Sequence, residues 1–177
     1  PFSGRFGGMI KGDALQAMVN RLVKNQTIEN MPMPLGIVGT DLQTGHGVLF
    51  QRGDTGQAVR ASCSVPGIFQ PTIIQGREYV DGGLVSPVPV RYAKQMGADI
   101  VIAVNISTEP SSQDSSGSLG ILLHTTSIMS KSINTFELDL AHVVIQPELK
   151  GMRGTDFKSR NAAILAGEES AMKQILQ

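Results

Sequence analysis

An α/β fold with a mainly parallel central sheet is what this sequence predicts, on three observations. Two aliphatic runs without polar alternation, Asp99-Ile-Val-Ile-Ala-Val-Asn105 and His142-Val-Val-Ile-Gln146, have the signature of strands covered on both faces. Helical stripes lie between and after them, so helix and strand alternate along the chain. The 177 residues are 41% apolar with a mean hydropathy of +0.02, which suits one domain with one core.

The elements follow in order. Residues 13–24 read as a helix with Asp13 as N-cap and Leu15, Met18, Val19, Leu22 and Val23 as one apolar stripe. Leu35-Gly-Ile-Val-Gly-Thr-Asp41 is a short apolar strand, and Gln43-Thr-Gly-His-Gly47 turns it into Val48-Leu-Phe-Gln51, as in a hairpin. Thr55 to Ser64 is helical, capped by Asp54 and stopped at Pro66-Gly67. Two β-rich runs, Thr72-Ile-Ile74 and Glu78-Tyr-Val80, end at Asp81-Gly82-Gly83. A short helix over 89–96 leads through Gly97 into the first buried strand. Residues 107–118, Ser-rich with a proline, read as a flexible surface loop. A helix carrying Leu122, Met129, Ile133, Phe136 and Leu140 on one face precedes the second buried strand. The last helix, 158–176, presents the small residues Ala163, Gly167 and Ala171 toward a sheet.

Composition excludes several functions. Fifteen Lys and Arg balance fifteen Asp and Glu, without a basic cluster, which argues against nucleic acid. The lone Cys63 and three scattered histidines make neither a disulfide nor a ligand set, so no metal is expected. No apolar run approaches the roughly 18 residues of a membrane span, and the first residues lack the core of an export signal. That favours the cytoplasm or a peripheral membrane location. Opening on Pro1, the chain reads as a piece of something longer.

Chemistry concentrates between residues 61 and 90. An aspartate that ends an apolar strand and precedes two glycines stands where backbone closely approaches a ligand, and partial burial there would raise its pKa and suit it to accept a proton. Asp-Gly is equally a hairpin-turn signal, and the dipeptide does not choose between the two. Ser62, Ser64 and Pro66 read as lining or capping a pocket near Asp81. Asp54-Thr-Gly56 is the tripeptide of aspartic proteases, but it occurs once where two are needed, so Asp54 reads as a cap. Cys63 reads as a small packed hydrophobe, not as a nucleophile. His46 reads as a solvated turn residue, and neither His124 nor His142 is assigned chemistry. No Gly-rich phosphate loop follows a strand, so no nucleotide cofactor is expected.

Four blocks in order, Gly36-Ile-Val-Gly-Thr-Asp-Leu-Gln-Thr-Gly45, Ala58-Val-Arg-Ala-Ser-Cys-Ser-Val-Pro-Gly-Ile-Phe69, Tyr79-Val-Asp-Gly-Gly83 and Gly97-Ala-Asp-Ile-Val-Ile-Ala-Val-Asn105, resemble the bacterial patatin-like phospholipases, relatives of the catalytic domain of neuropathy target esterase. The resemblance runs from about Gly12 to near the C-terminus. It implies a three-layer sandwich around a mainly parallel sheet, in a single domain over 1–177. It also implies acyl-ester hydrolysis by a serine in G-x-S-x-G and an aspartate in D-G-G, which falls on Asp81, Gly82 and Gly83. A lipid or other acyl ester is the implied substrate, with membrane-surface association and without a cofactor.

The departure from the family is equally plain. No serine here has a glycine two residues before it, so the nucleophile motif is absent. Ser116-Gly-Ser-Leu-Gly120 lies in the Ser-rich loop, not on a strand-to-helix elbow, and Ser3-Gly-Arg-Phe-Gly-Gly8 follows no strand. The chain therefore reads as a catalytic domain lacking its N-terminal part, holding the base but not the serine. The alternative is a non-catalytic module that binds lipid or a partner.

Overall fold

Two units make up the computed structural model, Pro1–Pro87 and Val88–Gln177, and within them residues 10–107, 117–149, 152 and 157–175 are described. In the first unit, α1 (Asp13–Leu22) packs on α2 (Thr55–Ser62), and β1 (Ile37–Asp41), β2 (Gly47–Phe50), β3 (Thr72–Ile74) and β4 (Arg77–Asp81) form one sheet in the order β2-β1-β4-β3. Every pairing in it is antiparallel. In the second, β5 (Ile102–Val104) and β6 (Val143–Ile145) pair in parallel beside α3 (Val90–Gln95), α4 (Gly117–Leu138) and α5 (Arg160–Ile175).

The mainly parallel sheet is thus not what the described residues hold, and for two of the three antiparallel pairings connection length is the reason. Gln75 and Gly76, with φ of 51° and 78°, join β3 to β4, and so short a loop can only return the chain antiparallel. β1 and β2 are likewise joined by a tight turn, organised by the Asp41 carboxylate. β1 and β4, with β2, α2 and β3 between them, also pair antiparallel, whereas β5 and β6, separated by α4, pair in parallel.

Burial also differs from expectation on β5. Val101, Ala103 and Asn105 are buried, whereas Ile100, Ile102, Val104 and Ile106 alternate with them on an exposed face. Val101 and Ala103 join Val88 and Val90 in the core of the second unit, with Leu138 and Val144 packed against them. On α4 the buried residues are polar. Glu137, 3% exposed, accepts the Arg91 N–H at 3.0 Å and pairs with the Arg91 guanidinium at 3.1 Å, while Phe136 on the predicted apolar stripe is exposed. Ala163, Gly167 and Ala171 are half-buried on α5, which packs on β6. Of the loop predicted over 107–118, residues 108–116 lie outside the described residues, and Gly117 and Ser118 already belong to α4.

In the first unit, Ile28, Ile37 and Ala58 form the core with Leu35, Phe50 and Val59 around them. Gly12, not Asp13, caps α1, and Asp13 instead reaches the Arg60 guanidinium at 2.6 Å. Met18 and Leu22 are exposed, because the face of α1 that meets α2 uses Asn20. Its amide accepts the Gly56 N–H at 2.7 Å and donates to Asp54 at 2.8 Å. Asp54 caps α2 as expected, accepting from the Gln57 N–H.

Asp41 holds the β1–β2 turn. It is 2% exposed, its Oδ1 accepts the N–H groups of Gln43 and Thr44 at 2.9 and 3.0 Å, and Arg77 Nε donates to Oδ2 at 2.7 Å. Burial alone would raise its pKa, but the Thr44 N–H, Arg77 and the Gln43 N–H together hold it below the ordinary aspartate value. A carboxyl lowered by folding stabilises the fold above its unfolded pKa, and that contribution is lost as pH falls through the folded one. Asp41→Asn is therefore expected to lower the urea midpoint at pH 7, with the gap from wild type closing below about pH 4. A gap unchanged at pH 3 would contradict this assignment.

Candidate active site

Asp81 is the last residue of β4, paired across β1 with Gly39, and half-buried. The chain does not turn back there as a hairpin. It continues into a short 3-10 turn, Gly82–Leu84, which Asp81 caps by accepting the Gly83 N–H on Oδ1 at 2.7 Å. Among the described residues, no hydrogen bond reaches Oδ2. Burial pushes the Asp81 carboxyl above the ordinary aspartate value, and the Gly83 N–H only partly opposes it. An aspartate so placed is a stronger base than one in water.

Both glycines of the motif have a steric reason that the sequence does not display. A Cβ on Gly82 would land on the Val38 carbonyl oxygen of β1 and lie 2.8 Å from the carbonyl carbon. A Cβ on Gly83 would stand 2.9 Å from Asp81 Oδ1, in the way of the carboxylate that folds back onto this residue's N–H.

The backbone of Asp81 is held by two partners. Its N–H donates to the Ser64 carbonyl at 3.0 Å, and its carbonyl accepts the Thr40 hydroxyl at 2.8 Å. Ser64 itself is 1% exposed, with Oγ donating to the Arg60 carbonyl at 2.7 Å and lying 3.1 Å from Thr72 Oγ1. Its hydroxyl thus serves the packing beneath the aspartate. Ser62, the last residue of α2, and Pro66, in the turn that follows, are half-buried. Sequence reasoning missed Thr40 and Thr72, because nothing local marks a threonine in a strand as anything but a strand residue.

Cys63 departs from expectation, since it is exposed and not a packed core residue. It is the C-cap of α2, its N–H donating to the Val59 carbonyl at 3.0 Å, and this helix end keeps the side chain off the core. Burial by its immediate neighbours and then the Asp81 charge both push the thiol pKa up, the reverse of what a nucleophilic cysteine needs. His46 is exposed beside its turn, and His142 Nδ1 accepts the Val101 N–H at 3.0 Å at the entrance to β5. Among the described residues no three His, Cys, Asp or Glu side chains gather as metal ligands, and no helix is long and apolar enough to cross a membrane. A cavity of about 500 Å³ in the second unit, lined by Val144, Glu148, Ala166, Glu169 and Lys173 among others, contains none of the candidate site residues.

Comparison with known proteins places these residues in context. Residues 3–94 match the family described as patatin-like phospholipase. An uncharacterized NTE family protein of Mycobacterium tuberculosis is 36% identical over 100 residues, covering 56% of this chain and 28% of the relative. A second NTE family protein of the same organism is 27% identical over 191 residues, covering 92% of this chain and 32% of its own length. Mouse patatin-like phospholipase domain-containing protein 7 is 28% identical over 102 residues, covering 56% of this chain and 8% of the mouse protein. The chain thus spans about a third or less of the relatives it matches.

Proposed function

The chain belongs to the patatin-like phospholipase family, and from that premise we propose that it carries the base half of a lipid acyl hydrolase, with Asp81 as the general base of a Ser–Asp dyad. The observation that carries this reading is the state of Asp81. It is half-buried and raised in pKa, fixed through Oδ1 by the Gly83 N–H, and Oδ2 is left to meet a second group. It also lies inside the stretch that matches the family.

The chemistry follows from that arrangement. Asp81 Oδ2 takes the proton of a serine hydroxyl as the serine oxygen attacks the ester carbonyl carbon. The tetrahedral intermediate collapses with loss of the alcohol, which leaves with the proton from Asp81, and the acyl group stays on the serine. Water then repeats the sequence, giving its proton to Asp81 as it attacks the acyl-enzyme, and the serine recovers its proton as the carboxylic acid departs. No histidine is needed, because a carboxylate in a partly dehydrated site has the basicity to accept the proton itself.

No serine of this chain lies in G-x-S-x-G, so the nucleophile is assigned to a segment upstream of Pro1 in the full-length protein. A lipid substrate brings the protein to a membrane surface from outside the bilayer, as a peripheral protein. The test compares the 177-residue chain with the full-length protein on a short-chain p-nitrophenyl ester and with a fluorophosphonate serine probe. The long form is expected to turn over ester and take the label, and the short one to do neither. Robust labelling of the short chain would overturn the divided site. A full-length protein that binds lipid but neither hydrolyses ester nor takes the label would make this a binding module.

A further inference from the structure

Thr40 lies on β1, an inner strand of the four-stranded sheet, and is 4% exposed. At such a position valine has the same shape and equal strand preference, and a buried hydroxyl is costly unless it finds a partner. The partner is the carbonyl of Asp81, 2.8 Å from Thr40 Oγ1 and forty-one positions along the chain. That carbonyl belongs to the peptide linking Asp81 to Gly82, so the bond fixes how the peptide plane is turned. The Gly83 N–H, which holds Asp81 Oδ1 at 2.7 Å, sits on the very next peptide, reached through Gly82 alone, and Gly82 is itself held in the 3-10 turn against the Val38 carbonyl, so the turn of the first plane carries over to that N–H. The contacts form a closed circuit from Thr40 through the Asp81 peptide to the Asp81 carboxylate. On the other side the Asp81 N–H is held by Ser64, whose own hydroxyl is tied to Arg60 and Thr72.

We infer that Thr40 is a positioning residue for Asp81, its hydroxyl turning the Asp81–Gly82 peptide so that the carboxylate is aimed by the Gly83 N–H. The inference rests on Asp81 acting as the base. Thr40 touches neither substrate nor serine and acts only through the aspartate. Its loss should therefore weaken the proton transfer and leave substrate binding alone.

The experiment compares Thr40→Val, Thr40→Ala and Thr40→Ser with wild type and Asp81→Asn in the full-length protein, on a short-chain p-nitrophenyl ester. Thr40→Val is expected to lower kcat about ten- to a hundredfold with KM within about twofold, the scale on which misplacement of a reacting group by about an ångström is felt. Thr40→Ser restores the hydroxyl and should recover most of kcat. If valine prevents folding, alanine and serine carry the same comparison, since they differ by the hydroxyl alone. Wild-type kcat in Thr40→Val or Thr40→Ala beside an inactive Asp81→Asn overturns the role of Thr40 and leaves the dyad standing, as does a serine variant no better than alanine. An active Asp81→Asn removes the base assignment, and the role of Thr40 falls with it.

Discussion

Asp81→Asn in the full-length protein is expected to fold and to lose about 10²- to 10⁴-fold in kcat, the usual cost of removing a general base. The asparagine Oδ1 still accepts the Gly83 N–H, so the turn after β4 survives, but an amide cannot take the serine proton. A hairpin-turn role predicts the opposite, because Asn-Gly makes a tight turn as well as Asp-Gly. Stability gives an independent sign. Folding raises the Asp81 pKa chiefly by burial, so its contribution favours the fold below the ordinary aspartate pKa and is lost as pH rises through the raised one. At pH 7 the ionised carboxylate weakens the fold, and Asp81→Asn should be at least as stable as wild type, with the two converging on acidification. For the same reason the acid limb of kcat/KM in wild type should lie above that of an ordinary aspartate. A well-folded Asp81→Asn keeping more than about a tenth of wild-type kcat, against that expected loss, would end the dyad assignment.

Gly82→Ala is expected to be among the most damaging single substitutions in the first unit, costing about 3 kcal/mol or more in stability. The added methyl meets the Val38 carbonyl of an inner strand, and neither the oxygen nor the strand behind it can move without breaking the β1–β4 pairing. Gly83→Ala provides the contrast. Its methyl meets only the Asp81 carboxylate, which can swing aside, so that variant should fold and lose activity by displacing the base. Urea denaturation separates the two, and a Gly82→Ala protein with a wild-type midpoint would mean that the approach of β1 to this turn is less close than the structure has it.

The parts legible in the sequence were those whose causes are local. The β1–β2 hairpin, the helix capped by Asp54 and the two strands before Asp81 each follow from a few adjacent residues, and the structure has them within a residue or two. The parallel pairing of the two aliphatic runs was legible, since β5 and β6 do pair that way, but the covering of their faces was not, because such a run looks alike whether a neighbour covers one face or both. β5 has that pattern with Ile102 and Val104 exposed. Asp81-Gly82-Gly83 could be found by motif, yet the physical need for its glycines lies in Val38 and in the carboxylate itself. Ser64 was placed near Asp81 by sequence, but Thr40 and Thr72 were illegible, since their partners stand forty-one and eight positions away. Hydroxyls buried in a sheet look the same in sequence as hydroxyls facing water.

Among the described residues, every contact that fixes Asp81 comes from the stretch between Gly39 and Gly83, and the strand it ends is joined to its neighbour β3 through Gln75 and Gly76 alone. Closing so short a loop costs little chain entropy, whereas the Thr40–Asp81 bond spans 41 positions, as many as separate Ile102 from its β6 partner Val143. The β3–β4 hairpin is therefore the local event, and the setting of the base is complete only when β1 pairs with it. Once the nascent chain has emerged from the ribosome past Leu84, all the described residues that hold the aspartate are outside and available to pair.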